Sequence, residues 1–186
     1  MTKRWKLILV VSFSLVIVLI AGTAIMKMNT KKHSPADKAV FSENGLHITT
    51  DYCRPYKKGR LIFGSKEDGA LQPFGTYWRL GANEATTFEI NKDVIIAGNP
   101  LKAGIYSIYA VPGEKTWEIG VNSEAHKWGA AEPDHAKDVL TFNVPASYND
   151  QVTEQLKINY QPIEGGAEMV IIWDNATVKF PILLEK

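Results

Sequence analysis

The distribution of apolar residues changes abruptly along this chain and divides it into two parts. Residues 7–26 form an uncharged apolar run, whereas the chain from Leu46 onward carries short segments in which apolar and polar residues alternate. Leu46–Tyr52 shows this alternation most clearly. A period of two places successive side chains on opposite faces of a strand, so the second part of the chain is predicted to be β-structure.

The alternating segments predict strands at 46–52, 60–63, 77–80, 85–90, 94–98, 101–111, 117–122, 139–144, 152–160, 169–173 and 177–183. Turn residues separate them, for example Pro112–Gly113 and Asp174–Ala176. Past residue 26 we find no convincing apolar stripe of helical period. We therefore expect a single all-β domain over residues 45–186, folded as an antiparallel two-sheet sandwich of jelly-roll or immunoglobulin-like type.

The first 26 residues have the pattern of a membrane anchor or an export signal. Lys3, Arg4 and Lys6 precede the uncharged run 7–26, whose length as a helix is about 30 Å, the thickness of a bilayer core. This predicts a transmembrane helix, and a signal peptide cleaved near Gly22–Ala24 is the alternative. Either way we expect an exported domain that is held at the membrane or secreted, with residues 27–44 as a polar tether.

Composition excludes some partners. Of 21 basic residues, three lie in residues 1–26, which leaves 18 against 20 acidic residues and a net charge of −2. Nucleic-acid binding needs a basic face, so we expect no nucleic-acid partner. The nine-residue separation of His126 and His135 does not match the short spacing of a helical zinc site, so we expect no metal and no cofactor. Cys53 is the only cysteine and is expected to be a buried, inert thiol.

The segment Arg54–Thr87 concentrates arginines, aromatic residues and glycines, together with an Asn–Glu pair. Arginine grips carboxylates and phosphates in a fork geometry, and asparagine and glutamate bind hydroxyl groups. These types predict a site for a small polar or anionic ligand, whose candidate residues are Arg54, Arg60, Arg79, Asn83, Glu84 and the loop residue Trp128. The alternative is a buried network in which Glu84 pairs with an arginine and Asn83 caps a turn, while Trp128 closes one end of the sandwich.

Three motifs resemble a known family. They are Arg54-Pro-x-x-Lys-Gly-Arg-x-Ile-Phe-Gly64, Tyr77-Trp-Arg-x-Gly-Ala-Asn-Glu-Ala-Thr86 and Leu101-x-Ala-Gly-x-Tyr-Ser107. The chain resembles, over about residues 45–183, a bacterial envelope family catalogued as domain of unknown function 2911. The resemblance implies export and assigns no activity. One departure is Thr141, which stands where the resemblance leads us to expect an arginine.

Three functions stay open at this stage. The first is a non-enzymatic binding or accessory module of the envelope, with its ligand surface in the candidate residues above. The second is a hydrolase acting on envelope sugar or peptide material, with Glu84 as acid or base and Asp138 as the second carboxylate that glycoside chemistry needs. The third is a structural partner in a membrane-tethered assembly.

Overall fold

The computed structural model describes residues 3–129 and 131–185. It divides the chain into two compact units, one up to His33 and one from Ser34 onward. The first unit contains one helix, α1, Lys3–His33. The second unit contains eleven strands and a short 3-10 helix at His135–Lys137.

Helix α1 contains the predicted transmembrane segment 7–26, although the side chains of residues 7–11 and 24–26 lie outside the described residues. Among the helices in the described part of the chain, none combines the length and apolar character needed to cross a membrane. The prediction of a transmembrane helix is therefore not confirmed.

The strands of the second unit are β1 Ala36–Glu43, β2 Leu46–Cys53, β3 Phe63–Gly64, β4 Gln72–Pro73, β5 Thr86–Ile90, β6 Val94–Ile96, β7 Asn99–Leu101, β8 Gly104–Val111, β9 Thr116–Asn122, β10 Asp138–Ile163 and β11 Gly166–Leu184. Nine of them form one sheet in the order β1-β2-β5-β8-β9-β10-β11-β6-β7, and β3 and β4 form a separate pair. Every pairing in the large sheet is antiparallel. The prediction of a mainly antiparallel β-domain is confirmed.

The predicted division into two separate sheets is not confirmed, because two long strands join the parts. β10 pairs with β9 over residues 138–145 and then with β11 over residues 146–163. The sheet nevertheless folds over itself. The Tyr52 hydroxyl of β2 accepts a hydrogen bond from the Ile158 N–H of β10 at 3.0 Å, although β2 and β10 are not neighbours in the sheet order.

The core lies between the faces that this fold brings together. Its largest fully buried side chains include Trp117 and Trp173, and Phe63 packs against both, with ring centroids 4.8 and 6.0 Å away. Trp78 stacks on Trp173 at 5.7 Å. Burial of such large aromatic groups is a main source of stability for a domain of this size.

The tether predicted at 27–44 is wrong in this structure. α1 continues through residues 27–33 and ends before Pro35, which cannot continue a helix. Residues 36–43 then pair with β2 along their whole length, and Ala39 and Phe41 are buried. These two residues alternate with polar or exposed neighbours, a strand signal too short to stand out in a polar sequence.

Three local predictions also differ. Residues 77–80 form no strand and keep only a bridge between Trp78 and Ala110. The predicted strand 60–63 is reduced to β3. The expected turn at 174–176 is part of β11, where Asp174 adopts a φ of 55° and the pairing with β10 shifts register. A bulge, rather than a turn, accommodates these polar residues.

Candidate functional site

Arg54 and Arg60 are held by contacts of their own turn and of neighbouring strands. Arg54 Nε donates to the Leu156 carbonyl at 2.9 Å, and its guanidinium lies 3.1 Å from Asp37. Arg60 donates to the carbonyls of Tyr56 and Lys57 and so closes the turn it belongs to. Both arginines make structural contacts, and none of these contacts joins them to Arg79.

The loop of residues 77–85, which we call the Arg79 loop, holds three of the candidate residues in an unusual backbone. Leu80 and Asn83 have φ angles of 54° and 62°, a left-handed conformation that non-glycine residues adopt rarely. The Trp78 indole N–H donates to the Gly81 carbonyl at 3.1 Å, and the Thr86 hydroxyl donates to the Leu80 carbonyl at 3.0 Å. Such strained loops occur preferentially at functional sites.

Residues 127–129 pair with this loop and bring Trp128 to it. Ala85 N–H donates to the Lys127 carbonyl, and Gly129 N–H donates to the Asn83 carbonyl, both at 3.1 Å. Glu84 and Trp128 face each other in the resulting bridge. Gly129 is required here, because a Cβ atom would lie 2.8 Å from Arg79 Cδ and 2.9 Å from the Ala85 nitrogen.

The Arg79 guanidinium is half-buried and lightly bonded. Its Nη1 donates to the Asn83 carbonyl at 3.2 Å, and within the described residues it forms no ion pair with an acidic side chain. Glu84 instead accepts a hydrogen bond from the buried Cys53 thiol at 3.6 Å. The alternative in which Glu84 pairs with Arg79 is therefore not what this structure contains. Several N–H groups of the Arg79 guanidinium have no acceptor among the described residues.

A second polar group, which the sequence analysis missed, surrounds Asp138. We call it the histidine cluster: Tyr109, Asn122, His135 and Asp138. Asp138 Oδ2 lies 2.7 Å from the Tyr109 hydroxyl and 2.7 Å from His135 Nδ1, and Oδ1 accepts from Asn122 Nδ2 at 2.8 Å. One carboxylate thus gathers partners from β8, β9 and the 3-10 helix. The sequence did not reveal this cluster, because Tyr109 and Asn122 lie 29 and 16 residues before Asp138 in the chain.

The histidine cluster consists of one exposed imidazole, that of His135, held against buried residues. Asn122 is fully buried and Tyr109 is 2% exposed, whereas the His135 side chain is 53% exposed. The hydrogen bond to Asp138 raises the pKa of His135, and burial followed by the bond to Asp138 raises the pKa of Tyr109. With Nδ1 directed at Asp138, His135 presents Nε2 outward, 3.6 Å from Glu132.

A sequence signal for this arrangement exists in Gly120. It is the cross-strand partner of Tyr109, and a Cβ atom there would lie 2.0 Å from the Tyr109 ring. The glycine allows the tyrosine to lie flat across β9 and reach Asp138. A Tyr–Gly pair across a hairpin is a recognisable signal only once the register of the hairpin is known.

Tyr77 joins the Arg79 loop to the histidine cluster. The bridge between Trp78 and Ala110 keeps the chain extended, so Tyr77 and Arg79 project away from the core that Trp78 enters. The Tyr77 ring lies 5.5 Å from that of Tyr109, which lies 5.6 Å from His135. Burial raises the pKa of Tyr77. The positive charge of Arg79 lowers this pKa, and the negative charge of Glu132 raises it. These contacts define the Tyr77 face: Tyr77, Arg79, Tyr109, Glu132 and His135.

Comparison with known proteins identifies one family. Residues 34–182 match the family model described as protein of unknown function (DUF2911). No curated protein and no solved structure gives a significant match. In the part of the chain that the structure describes, no group of three histidine, cysteine, aspartate or glutamate side chains is placed to hold a metal ion.

Proposed function

Because the chain belongs to the DUF2911 family of proteins of unknown function, a family name that assigns no reaction, we propose its function from the Tyr77 face. The domain is a binding module that holds a small anionic ligand at Arg79. The observation that carries this proposal is that half-buried Arg79 has, among the described residues, a single acceptor for its guanidinium, the Asn83 carbonyl at 3.2 Å.

The cost of partly burying a cation supports the proposal. A desolvated charge is normally balanced by an opposite charge or by a full set of hydrogen bonds, and Arg54 in the same domain is balanced by Asp37. Arg79 has no such balance in the described residues. A carboxylate or phosphate on the ligand would accept two parallel hydrogen bonds from it, the strongest pairing that arginine makes.

The proposed place of action is the bacterial cell envelope. The support is the sequence pattern of residues 1–26, a basic start followed by an uncharged run. In this proposal the domain acts outside the cytoplasm, either attached to the membrane or secreted, as an accessory module.

A hydrolase that uses Glu84 as acid or base has less support. Glu84 accepts from the Cys53 thiol, and Asp138, the expected second carboxylate, is already bonded to Asn122, Tyr109 and His135. These contacts tie both carboxylates to protein groups.

The proposal is tested by thermal unfolding of the full chain in the presence of phosphate, acetate, citrate and sulfate. An anion present at about 100 times its dissociation constant should add about 2.7 kcal/mol to the free energy of unfolding. Arg79→Gln should abolish that increase. Arg60→Gln is the matched control, because it removes the same charge from an arginine that bonds only its own turn. Equal stabilisation by the anion of the parent chain, Arg79→Gln and Arg60→Gln would contradict the proposal.

A further inference from the structure

We infer that the ligand of the Tyr77 face is a small zwitterion, a molecule that carries a carboxylate and an ammonium group, as an amino acid does. The inference rests on the proposed function, because Arg79 holds the carboxylate in both. It adds a second contact, in which the Glu132 carboxylate receives the ammonium group.

The charges on the Tyr77 face support a ligand of two signs. Arg79 bonds a single carbonyl, and Glu132, with a side chain 64% exposed, contacts only His135 Nε2 at 3.6 Å among the described residues. The two charges form no ion pair with each other among the described residues. They flank the row of rings Tyr77, Tyr109 and His135, whose centroids lie 5.5 and 5.6 Å apart. Both charges also act on Tyr77, because Arg79 lowers the pKa of Tyr77 and Glu132 raises it. A ligand with complementary charges would satisfy both.

The loop that carries Glu132 and His135 is held by hydrogen bonds to buried side chains. The buried Asn122 amide donates to the Asp134 carbonyl at 2.9 Å and to Asp138 at 2.8 Å, and Asp134 caps the 3-10 helix by accepting from Ala136 N–H. Asp138 in turn orients His135, whose Nε2 faces Glu132. The backbone of a loop held in this way loses little conformational freedom when a ligand binds, which favours affinity.

A simple anion fits this face less well than a zwitterion. Glu132 repels an anion that sits close to Arg79, because like charges disfavour each other at short range even when partly screened. An ammonium group converts that repulsion into attraction. The Tyr77 ring adds to it, because aromatic faces attract cations.

The experiment compares each ω-amino acid with the plain carboxylate of equal length, by calorimetric titration of the full chain at constant pH. The pairs are glycine with acetate, 3-aminopropionate with propionate, 4-aminobutyrate with butyrate, and 6-aminohexanoate with hexanoate. At one length we expect the zwitterion to bind about fivefold more tightly, the upper range for a solvent-accessible ion pair. Glu132→Gln should remove this preference. Glu114→Gln, a change of the same charge in the exposed β8–β9 turn, should retain it.

Three outcomes would overturn the inference. If every amino acid binds no better than its matched carboxylate, while Arg79→Gln weakens both, the inference falls and anion binding at Arg79 stands. A zwitterion preference that persists in Glu132→Gln would also overturn it. If no probe binds in a manner that depends on Arg79, the inference and the proposed function fall together.

Discussion

At the scale of single residues, the domain treats its charged groups in two different ways. Lys57 and Asp174 are joined at 2.6 Å with side chains 19% and 7% exposed, and Lys57 also donates to the Arg60 carbonyl at 2.7 Å. This pair pins the turn after β2 to the bulge in β11. Arg79 is half-buried and has no acidic partner in the described residues. The contrast separates a structural charge from a candidate ligand-binding one.

Lys57→Met should destabilise the domain strongly. It leaves the buried Asp174 carboxylate without its cation, and breaking one side of a buried pair costs about 3–5 kcal/mol. Lys102→Met is the control, because Lys102 pairs with Asp93 at the surface with a side chain 77% exposed. That change should cost at most about 1 kcal/mol. Chemical denaturation measures both values, and equal costs would contradict the structural role of the Lys57–Asp174 pair.

His135 makes stability depend on pH. Its pKa is raised in the folded domain, chiefly by the hydrogen bond to Asp138, so the folded state binds the proton more tightly than the unfolded state. The resulting stabilisation is present below the unfolded pKa of about 6.5 and is lost as pH rises through the higher folded pKa. The free energy of unfolding should therefore fall as pH rises through this window.

Denaturation across this window, with two histidine variants, checks the assignment. His135→Gln should flatten the fall in stability with pH, because it removes the group that titrates. His126→Gln removes an exposed histidine from the same region of the chain and should leave the fall unchanged. The same slope in both variants would show that another group is responsible.

At the scale of elements, the alternation of apolar and polar residues predicted most strands. It did not predict that some neighbouring strands are joined into one long strand. Leu46–Tyr52 and 117–122 are strands as expected, since apolar residues there occupy one face. β10 and β11 each absorb two predicted strands, because bulges at Thr153 and Asp174 let polar residues continue the ladder. β1 was missed, because it contributes only Ala39 and Phe41 to the core.

β1 provides a direct test of this correction. Phe41 is 6% exposed and its neighbour Val40 is 49% exposed. Phe41→Ala should lower the free energy of unfolding by about 3–5 kcal/mol, whereas Val40→Ala should change it by less than about 1 kcal/mol. If β1 were a tether, both variants would unfold at the same denaturant concentration as the parent.

The candidate site was predicted in part, and the reason is visible in its residues. Arg79, Asn83, Glu84 and Trp128 do come together, since the first three share one loop and a backbone pairing adds the fourth. The histidine cluster could not be derived from spacing. Tyr109 and Asn122 reach Asp138 only after β8, β9 and β10 have paired, whereas His135 reaches it locally through the 3-10 helix. Short-range motifs are visible in a sequence, whereas contacts across strands depend on register.

At the scale of the whole molecule, the described contacts combine a buried aromatic core with one polar face. Trp78 illustrates the link, because it enters the core while its neighbours Tyr77 and Arg79 project to the Tyr77 face. Packing of Trp78 in the core holds the bridge to Ala110 in place, and this bridge positions Tyr77 and Arg79. We propose that this face binds a ligand through Arg79.

The most direct test is an NMR titration that follows the side-chain Nε–Hε signals of the four arginines, Arg4, Arg54, Arg60 and Arg79. Phosphate and 4-aminobutyrate are added in turn to the full chain. We expect the Arg79 signal to shift and saturate with at least one of these probes. The signals of Arg54 and Arg60, which are held by carbonyls and Asp37, should stay in place. An Arg79 signal that does not move, or that moves together with all the others, would contradict the proposal.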